Sequence, residues 1–151
     1  MSEVRVRAAR NADVPALERL IEDAFAPFTA RTGIVPAPRS IDWATTISAL
    51  GAEVAVLADR VVGVLVTWPH PDHLLVDVLA VAPSAQGSGV GRTLLAHARA
   101  AAARTGRDRL RLCTNAGMTA SLAWYGRQGF VETDRRREDG FDRVFLEQRV
   151  G

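Results

Sequence analysis

The chain of 151 residues lacks lysine and long apolar runs, and it contains a single cysteine. The lone Cys113 excludes an internal disulfide and leaves no cysteine pair for a zinc site. No apolar run approaches the roughly 20 residues that a membrane-spanning helix needs. Residues 1–5 lack the apolar core of a secretory signal. We therefore expect a cytoplasmic protein that holds no metal and has no membrane partner.

The charges of the chain are nearly balanced. Nineteen basic residues face 17 acidic ones, for a net charge of +2. This excess is too small to indicate a nucleic-acid partner, although a pI of 9.4 leaves a mild attraction for anions. The absence of lysine indicates a compositional bias. A hydrophobic fraction of 48% and the length predict one globular domain over residues 1–151.

Hydrophobic patterning predicts a mixed-sheet α/β domain in the order β-α-α-β-β-β-α-β-α-β-β. Strands are predicted over residues 3–8, 53–58, 61–68, 74–81, 109–114, 130–135 and 143–148, and helices over 14–25, 40–50, 93–104 and 119–127. Pro27 should end or bend the first helix, and Asp59-Arg60 should form a two-residue turn. Asp139-Gly140 predicts a hairpin. The nearly continuous apolar strand at 74–81 is typical of a central strand covered on both faces.

A glycine-rich loop, QGSGVGR over residues 86–92, connects that strand to a helix. Glycines leave the backbone N–H groups uncovered, and a helix N-terminus adds unpaired amides that favour phosphate. The loop is also compatible with a tight connection that serves packing alone. A dinucleotide loop fits poorly, because five residues intervene after the strand and no acidic residue ends the next one. A Walker loop is excluded, because no Gly-Lys-Ser/Thr follows.

Two motifs resemble those of the GCN5-related N-acetyltransferases. The sequence LAVAP over residues 79–83, followed by Gln86, Gly89 and Gly91, is similar to that family's acyl-CoA-binding motif. Residues 123–130, AWYGRQGF, are similar to a second motif in which Tyr is followed by three residues and Gly-Phe. The resemblance implies the GNAT-like fold over nearly the whole chain and acetyl-CoA as co-substrate, without a metal.

The resemblance also implies which residues hold acetyl-CoA. The backbone of the strand, at Leu79, Ala80 and Val81, would pair with the pantetheine arm, as an added strand does. The pyrophosphate would bind the loop amides at Gln86, Gly87, Ser88, Gly89, Val90, Gly91 and Arg92. Gln86 carries no charge, so Arg92 and the helix dipole would supply the positive potential. The alternative for Arg92 is a solvated position on the helix.

The same resemblance assigns the chemistry. Tyr125 would protonate the leaving thiolate, although a packing role is the alternative. Asp77 lies on the central strand, and alternation places it on the same face as Leu79 and Val81, so it is a candidate general base. A structural Asp bonded to a loop or helix end is the other interpretation. His70, His73 and water remain alternative bases.

Three positions depart from the family pattern or bear on it. Many relatives carry Asn where this chain has Met118; Asn115 would replace it in contacting the cofactor, or cap the following turn. The resemblance implies a V-shaped slot where the strand at 74–81 splays from the strand at 109–114. Trp124 stands where Leu or Phe is commoner, and is expected to fill core space or to narrow this slot. Cys113 has no visible activating base and is expected to be a buried structural thiol.

The acceptor is predicted to be a primary amine, most simply that of a small molecule. No nucleic-acid partner and no membrane partner are expected. Residues 25–39 and the hairpin at 135–143 would shape its site. Four arginines, at 135, 136, 137 and 143, would attract a carboxylate-bearing acceptor or simply face solvent. The other functions that the sequence leaves open are a non-catalytic acyl-CoA-binding module and acetylation of a protein amine. The terminal hairpin is also compatible with a homodimer.

Overall fold

The computed structural model describes residues 3–34 and 41–150. Its seven strands are β1 (Arg5–Ala8), β2 (Glu53–Leu57), β3 (Arg60–Pro69), β4 (Leu74–Val81), β5 (Arg109–Asn115), β6 (Val131–Glu138) and β7 (Phe141–Arg149). Its α-helices are α1 (Val14–Thr32), α2 (Trp43–Ala49), α3 (Val90–Arg104) and α4 (Thr119–Arg127). The predicted order of elements and the mixed α/β class are confirmed.

The strands form one sheet in the order β1-β2-β3-β4-β5-β7-β6. β4 and β5 run parallel, whereas the other neighbouring strands are antiparallel. A hydrophobic cluster on one face packs α3 and α4 against the sheet, and a cluster on the other face packs α1 and α2. β4 is therefore covered on both faces, as its apolar sequence predicts.

Gly63 explains how closely α3 approaches β3. A Cβ at this position would lie 2.8 Å from Val90 Cγ1 and 3.0 Å from Leu94 Cδ1. A side chain here would require these neighbours to shift. Gly63 therefore allows the start of α3 to pack closely on β3.

Of the two outcomes predicted for Pro27, an end to the first helix is wrong, because α1 continues through Pro27 to Thr32. The buried rings of Phe25 and Phe28 flank the proline, and their packing offsets the lost backbone hydrogen bond. The predicted Asp59-Arg60 turn is also wrong. The β2–β3 turn is centred on Ala58 and Asp59, both with positive φ, and Arg60 already pairs with Leu57.

The remaining boundaries differ little from prediction. The Asp139-Gly140 turn is present, with φ of 51° and 81° at its two residues. α2 begins at Trp43, capped by the Asp42 carboxylate, which accepts from the Thr45 N–H at 3.2 Å. Ser40, the predicted first residue of that helix, and residues 35–39 of the segment expected to shape the acceptor site lie outside the described residues. No helix in the described ranges is long and apolar enough to cross a membrane.

Candidate active site

The parallel strands β4 and β5 separate soon after they meet. They pair only at Leu74–Leu110 and Leu75–Arg111, near the start of both strands. Beyond these pairs the two strands diverge and their backbone groups leave the ladder. The result is a V-shaped opening in the middle of the sheet, which is the shape that the family resemblance implies.

A β-bulge in β4 sits at this opening. Val66 pairs with Val78 but Thr67 pairs with Val76, so Asp77 is an extra residue on its strand. Side chains normally alternate between the faces of a strand. Here Leu74, Val76, Leu79 and Val81 all pack in the α3 cluster, whereas Val78 and Ala80 pack in the α1 cluster. The sequence prediction that Asp77 shares a face with Leu79 and Val81 assumed regular alternation. The bulge interrupts that alternation at Asp77 itself.

Asp77 presents an unpaired carboxylate to the opening. Within the described ranges it has no hydrogen bond or ion pair, so the structural interpretation of an Asp bonded to a loop or helix end finds no partner. Although the side chain is exposed to the cavity, partial burial raises the pKa of Asp77 above its ordinary value. A carboxylate with a raised pKa and free lone pairs can accept a proton.

The glycine-rich loop curls around the start of α3. Gly87 and Gly89 have φ of 86° and 82°, values that side-chain-bearing residues rarely adopt, and Gly89 is the N-cap of the helix. The first-turn N–H groups of a helix have no partner within it. Residues of this first turn border a cavity that we call the glycine-loop cavity, which is lined by Leu79, Val81, Ala85, Gln86, Gly87, Gly89, Val90, Gly91, Arg92, Ala120, Ser121, Trp124, Tyr125 and Arg127.

Most of the predicted cofactor residues line this cavity, and three do not: Ala80, Ser88 and Asn115. Ala80 is buried in the α1 cluster. The Ser88 N–H donates to the carbonyl of Ala85 at 3.2 Å, and Ser88 is not a lining residue. Arg127 lines the cavity beside the predicted Arg92 and was missed, because an arginine at a helix end has no distinctive sequence signal.

Trp124 does both things that its sequence position suggested. Its indole packs against the α3 cluster and also lines the glycine-loop cavity. A Cβ on Gly91 would lie 3.0 Å from Trp124 Cζ2. Gly91 therefore allows close packing of α4 on α3 as well as exposing its backbone.

Tyr125 is held in place by the rest of its motif. Gly129 ends α4 with φ of 97°, which turns the chain back so that Phe130 donates its N–H to the Tyr125 carbonyl at 3.1 Å. The rings of Phe130 and Tyr125 meet edge to face at 5.6 Å, and the Trp124 ring meets Tyr125 at 5.1 Å. Burial raises the pKa of Tyr125, so its phenol stays protonated at neutral pH and has a proton that it can donate.

A second cavity lies on the other side of Tyr125, and we call it the hairpin cavity. Its walls are Phe25, Ile41, Val76, Asp77, Val78, Leu79, Leu112, Cys113, Thr114, Asn115, Met118, Ser121, Tyr125, Phe141 and Arg143. Leu79, Ser121 and Tyr125 line both cavities. The two cavities thus adjoin each other at these three residues.

Asn115 and Cys113 both lie on the hairpin cavity. The Asn115 side-chain oxygen accepts from the Gly117 N–H at 2.8 Å, so Asn115 caps the turn before α4, and it lines the hairpin cavity rather than the glycine-loop cavity. The expectation that Cys113 is buried is wrong, because its side chain is exposed. It lies on the part of β5 that has separated from β4, where it lines the hairpin cavity.

The alternative bases lie away from both cavities. The rings of His70 and His73 stack at 4.5 Å, and His73 Nδ1 lies 2.7 Å from the Asp72 carboxylate. Neither histidine lines the glycine-loop cavity or the hairpin cavity. Of the candidate side-chain bases named from the sequence, Asp77 alone lines the hairpin cavity, together with Tyr125.

The chain resembles proteins of one family. Residues 17–130 match the model of the Acetyltransferase (GNAT) family. A mycothiol acetyltransferase from Jonesia denitrificans is 40% identical over 78 residues, which are 50% of this chain but only 25% of that protein. The chain therefore spans about a quarter of the length of this curated relative.

Solved structures agree over the full length. A ribosomal-protein-alanine N-acetyltransferase from Brucella melitensis is 27% identical, with a TM-score of 0.73 over 97% of this chain and 99% of that one. A GNAT family acetyltransferase from Elizabethkingia anophelis with acetyl-CoA bound is 18% identical, with a TM-score of 0.74 over 97% and 98% of the two chains. The match over three quarters of the sequence and the shared fold show that this chain belongs to the GNAT family of acetyltransferases.

Proposed function

We propose that this protein is an N-acetyltransferase that transfers the acetyl group of acetyl-CoA directly to the primary amine of a small molecule. The observation that carries the proposal is the meeting of the two cavities at Leu79, Ser121 and Tyr125. One cavity has the groups that a CoA thioester needs, and the other has room for an amine beside a free carboxylate. A ternary complex in which the amine attacks the thioester follows from this arrangement.

The donor would occupy the glycine-loop cavity. Backbone groups of Leu79 and Val81, released from pairing with β5, are free to bond the amides of pantetheine. The pyrophosphate would bind the N–H groups at the start of α3, where the helix dipole favours negative charge. Arg92 and Arg127 at this cavity add two positive charges. No metal is needed for this binding mode.

The transfer requires two proton movements. The amine nitrogen forms a bond to the thioester carbonyl carbon, and Asp77 removes its proton directly or through water. The tetrahedral intermediate then collapses, the carbon–sulfur bond breaks, and the Tyr125 phenol protonates the departing thiolate. The products are the N-acetylated amine and CoA with a free thiol. Solvent returns the proton from Asp77 to Tyr125, and both groups regain their starting states.

Two other functions are outcomes of the same test. A non-catalytic acyl-CoA-binding module would bind acetyl-CoA without turnover, but the buried, protonated Tyr125 beside both cavities favours catalysis. Acetylation of a protein amine is the activity that the name of the Brucella relative describes. A hairpin cavity walled by Phe25, Ile41 and Phe141 favours a small acceptor that enters between these side chains.

Incubation of the full chain with acetyl-CoA and a panel of amines tests the proposal. The panel contains alkylamines, free amino acids and a peptide that begins with alanine, and products are identified by mass. CoA release is followed with a thiol reagent, after correction for the exposed Cys113. Acetylation of small amines supports the proposal, whereas acetylation of the peptide alone supports the protein-acceptor alternative. Acetyl-CoA binding without any product would favour the module.

A further inference from the structure

The late hairpin carries four arginines, and three of them are already paired. Arg135 bonds Glu132 at 2.9 Å, and Arg136 bonds Asp134 at 2.9 Å while stacking on the Phe145 ring at 4.2 Å. Arg137 lies 3.5 Å from the Asp142 carboxylate. All three are on β6, whose residues are exposed along its length. Their charges are therefore satisfied on the surface of the protein.

Arg143 differs from these three. It points into the hairpin cavity, and within the described ranges it has no carboxylate partner. Its neighbours are the Phe141 ring, 5.4 Å from the guanidinium carbon, and Cys113 Sγ, 3.8 Å from Nη1. Its Nε is buried and makes no hydrogen bond. A buried N–H without a partner costs roughly 1–3 kcal/mol, so an unpaired group of this kind requires an explanation.

The other charge in the cavity is also unpaired. Asp77 lines the same cavity, and no ion pair in the described ranges joins it to Arg143. Apolar side chains, among them Phe25, Met118 and Phe141, form walls of this cavity. A site with a free carboxylate, a free guanidinium and apolar walls is complementary to a molecule that carries an amine and an anion on an apolar body. A planar guanidinium matches a carboxylate best, because two of its N–H groups can bond both oxygens.

We propose that the acceptor is a small amino acid-like molecule whose carboxylate is held by Arg143 while its amine faces Asp77 and Tyr125. This inference rests on the proposed acetyl transfer and names the class of its acceptor. A protein N-terminus does not carry a free carboxylate next to its amine, so the inference favours free small molecules over peptides. Arg143 is a specificity-determining residue in this account, and Asp77 and Tyr125 do the chemistry.

The test compares matched acceptors that differ only in the carboxylate, such as β-alanine with ethylamine and phenylalanine with phenethylamine. The quantity measured is the ratio of kcat/KM for the two members of each pair at fixed free-amine concentration. For the wild-type chain we expect at least one pair in which the carboxylate member is favoured, by about ten- to a hundredfold, as a charged hydrogen bond supplies. In Arg143→Gln this ratio should fall to about one, mainly through KM. Arg136→Gln, which removes a paired arginine of the same hairpin, should keep the wild-type ratio.

A conservative variant, unfolding curves and a binding measurement serve as controls for this test. Arg143→Lys should retain part of the preference, and thermal unfolding of each variant shows that it is folded. If the wild-type chain acetylates no amine, the proposed function fails, and binding of the amino acids to the CoA-loaded protein then tests Arg143 alone. If Arg143→Gln lowered kcat/KM equally for both members of every pair, the inference would be overturned. A wild-type preference for alkylamines or for amines that carry a phosphate would also overturn it.

Discussion

Phe130 bonds the carbonyl of Tyr125 through its backbone N–H at 3.1 Å and packs its ring against the tyrosine ring at 5.6 Å. Gly129 and Phe130 of the motif follow the end of α4, and the two contacts of Phe130 therefore hold the Tyr125 ring in position. Gly129 makes this return possible, because its φ of 97° lies in the left-handed region. The spacing of Tyr, three residues and Gly-Phe is thus a geometric requirement of the site.

Replacement of Gly129 by alanine should destabilise the protein and slow turnover. A Cβ there would meet Gln148 Nε2 at 2.5 Å in a backbone conformation that costs about 1–2 kcal/mol for L-residues. The free energy of unfolding, measured with denaturant, should fall by about 1–3 kcal/mol. Gly126→Ala is the matched control, because nothing lies within 4 Å of its Cβ and its helix should gain up to about 1 kcal/mol. Equal effects of the two variants would contradict this account of the motif.

Gly91→Ala should weaken acetyl-CoA binding through Trp124. The new Cβ would lie 3.0 Å from Trp124 Cζ2, so the indole must shift within the glycine-loop cavity. We expect the Kd of acetyl-CoA, measured by calorimetry, to rise about tenfold, which corresponds to about 1.4 kcal/mol. Trp124→Leu in the Gly91→Ala background should restore most of the affinity. Additive losses in the double variant would show that Gly91 acts independently of the tryptophan.

Asp77→Asn should lower turnover without lowering stability. Loss of a general base costs about a hundredfold or more in rate. The folded-state pKa of Asp77 is raised by burial, so its ionisation opposes folding as the pH rises above the ordinary value of 3.8. Unfolding curves at several pH values should therefore show the variant equal to the wild type in acid and no less stable above the raised pKa. A large loss of stability at neutral pH would reveal a structural role for this carboxylate instead.

The ionised carboxylate of Asp13 should stabilise the fold, whereas ionisation of Asp77 opposes folding. The Asp13 carboxylate accepts two bonds from Arg7, at 2.8 and 2.9 Å, and one from the Arg10 N–H at 2.8 Å. The Arg7 bonds lower the pKa of Asp13, so the stabilisation is complete above the ordinary value of 3.8 and is lost as the pH falls through the folded-state pKa. Asp13→Asn should cost about 1–2 kcal/mol at pH 7, since Arg7 is partly exposed. Asp23→Asn, on an exposed position of α1, is the control for the loss of one carboxylate.

Local signals in the sequence account for what could be predicted. The element order follows from hydrophobic period and turn residues, and the glycine-rich loop and the Tyr-Gly-Phe motif carry their geometry in adjacent residues. Asp139-Gly140 forms its turn for the same reason. These features depend on few contacts with distant parts of the chain.

The features that were missed depend on distant partners. The bulge at Asp77 arises from the register between β4 and β3, which no local pattern encodes. Cys113 is exposed on the part of β5 that has separated from β4. The first helix α1 continues through Pro27, where Phe25 and Phe28 on either side are buried by tertiary packing. Arg143 could be distinguished from its three neighbouring arginines only after each ion pair was known.

The rate of CoA release by Tyr125→Phe tests the central claim, that acetyl transfer takes place where the two cavities meet and ends with protonation of the thiolate by Tyr125. The variant keeps the ring contacts with Trp124 and Phe130 and loses only the hydroxyl. At saturating acetyl-CoA and a competent amine, kcat should fall about a hundredfold or more, while the Kd of acetyl-CoA stays within about twofold. A variant that binds acetyl-CoA normally and retains full turnover would contradict the claim.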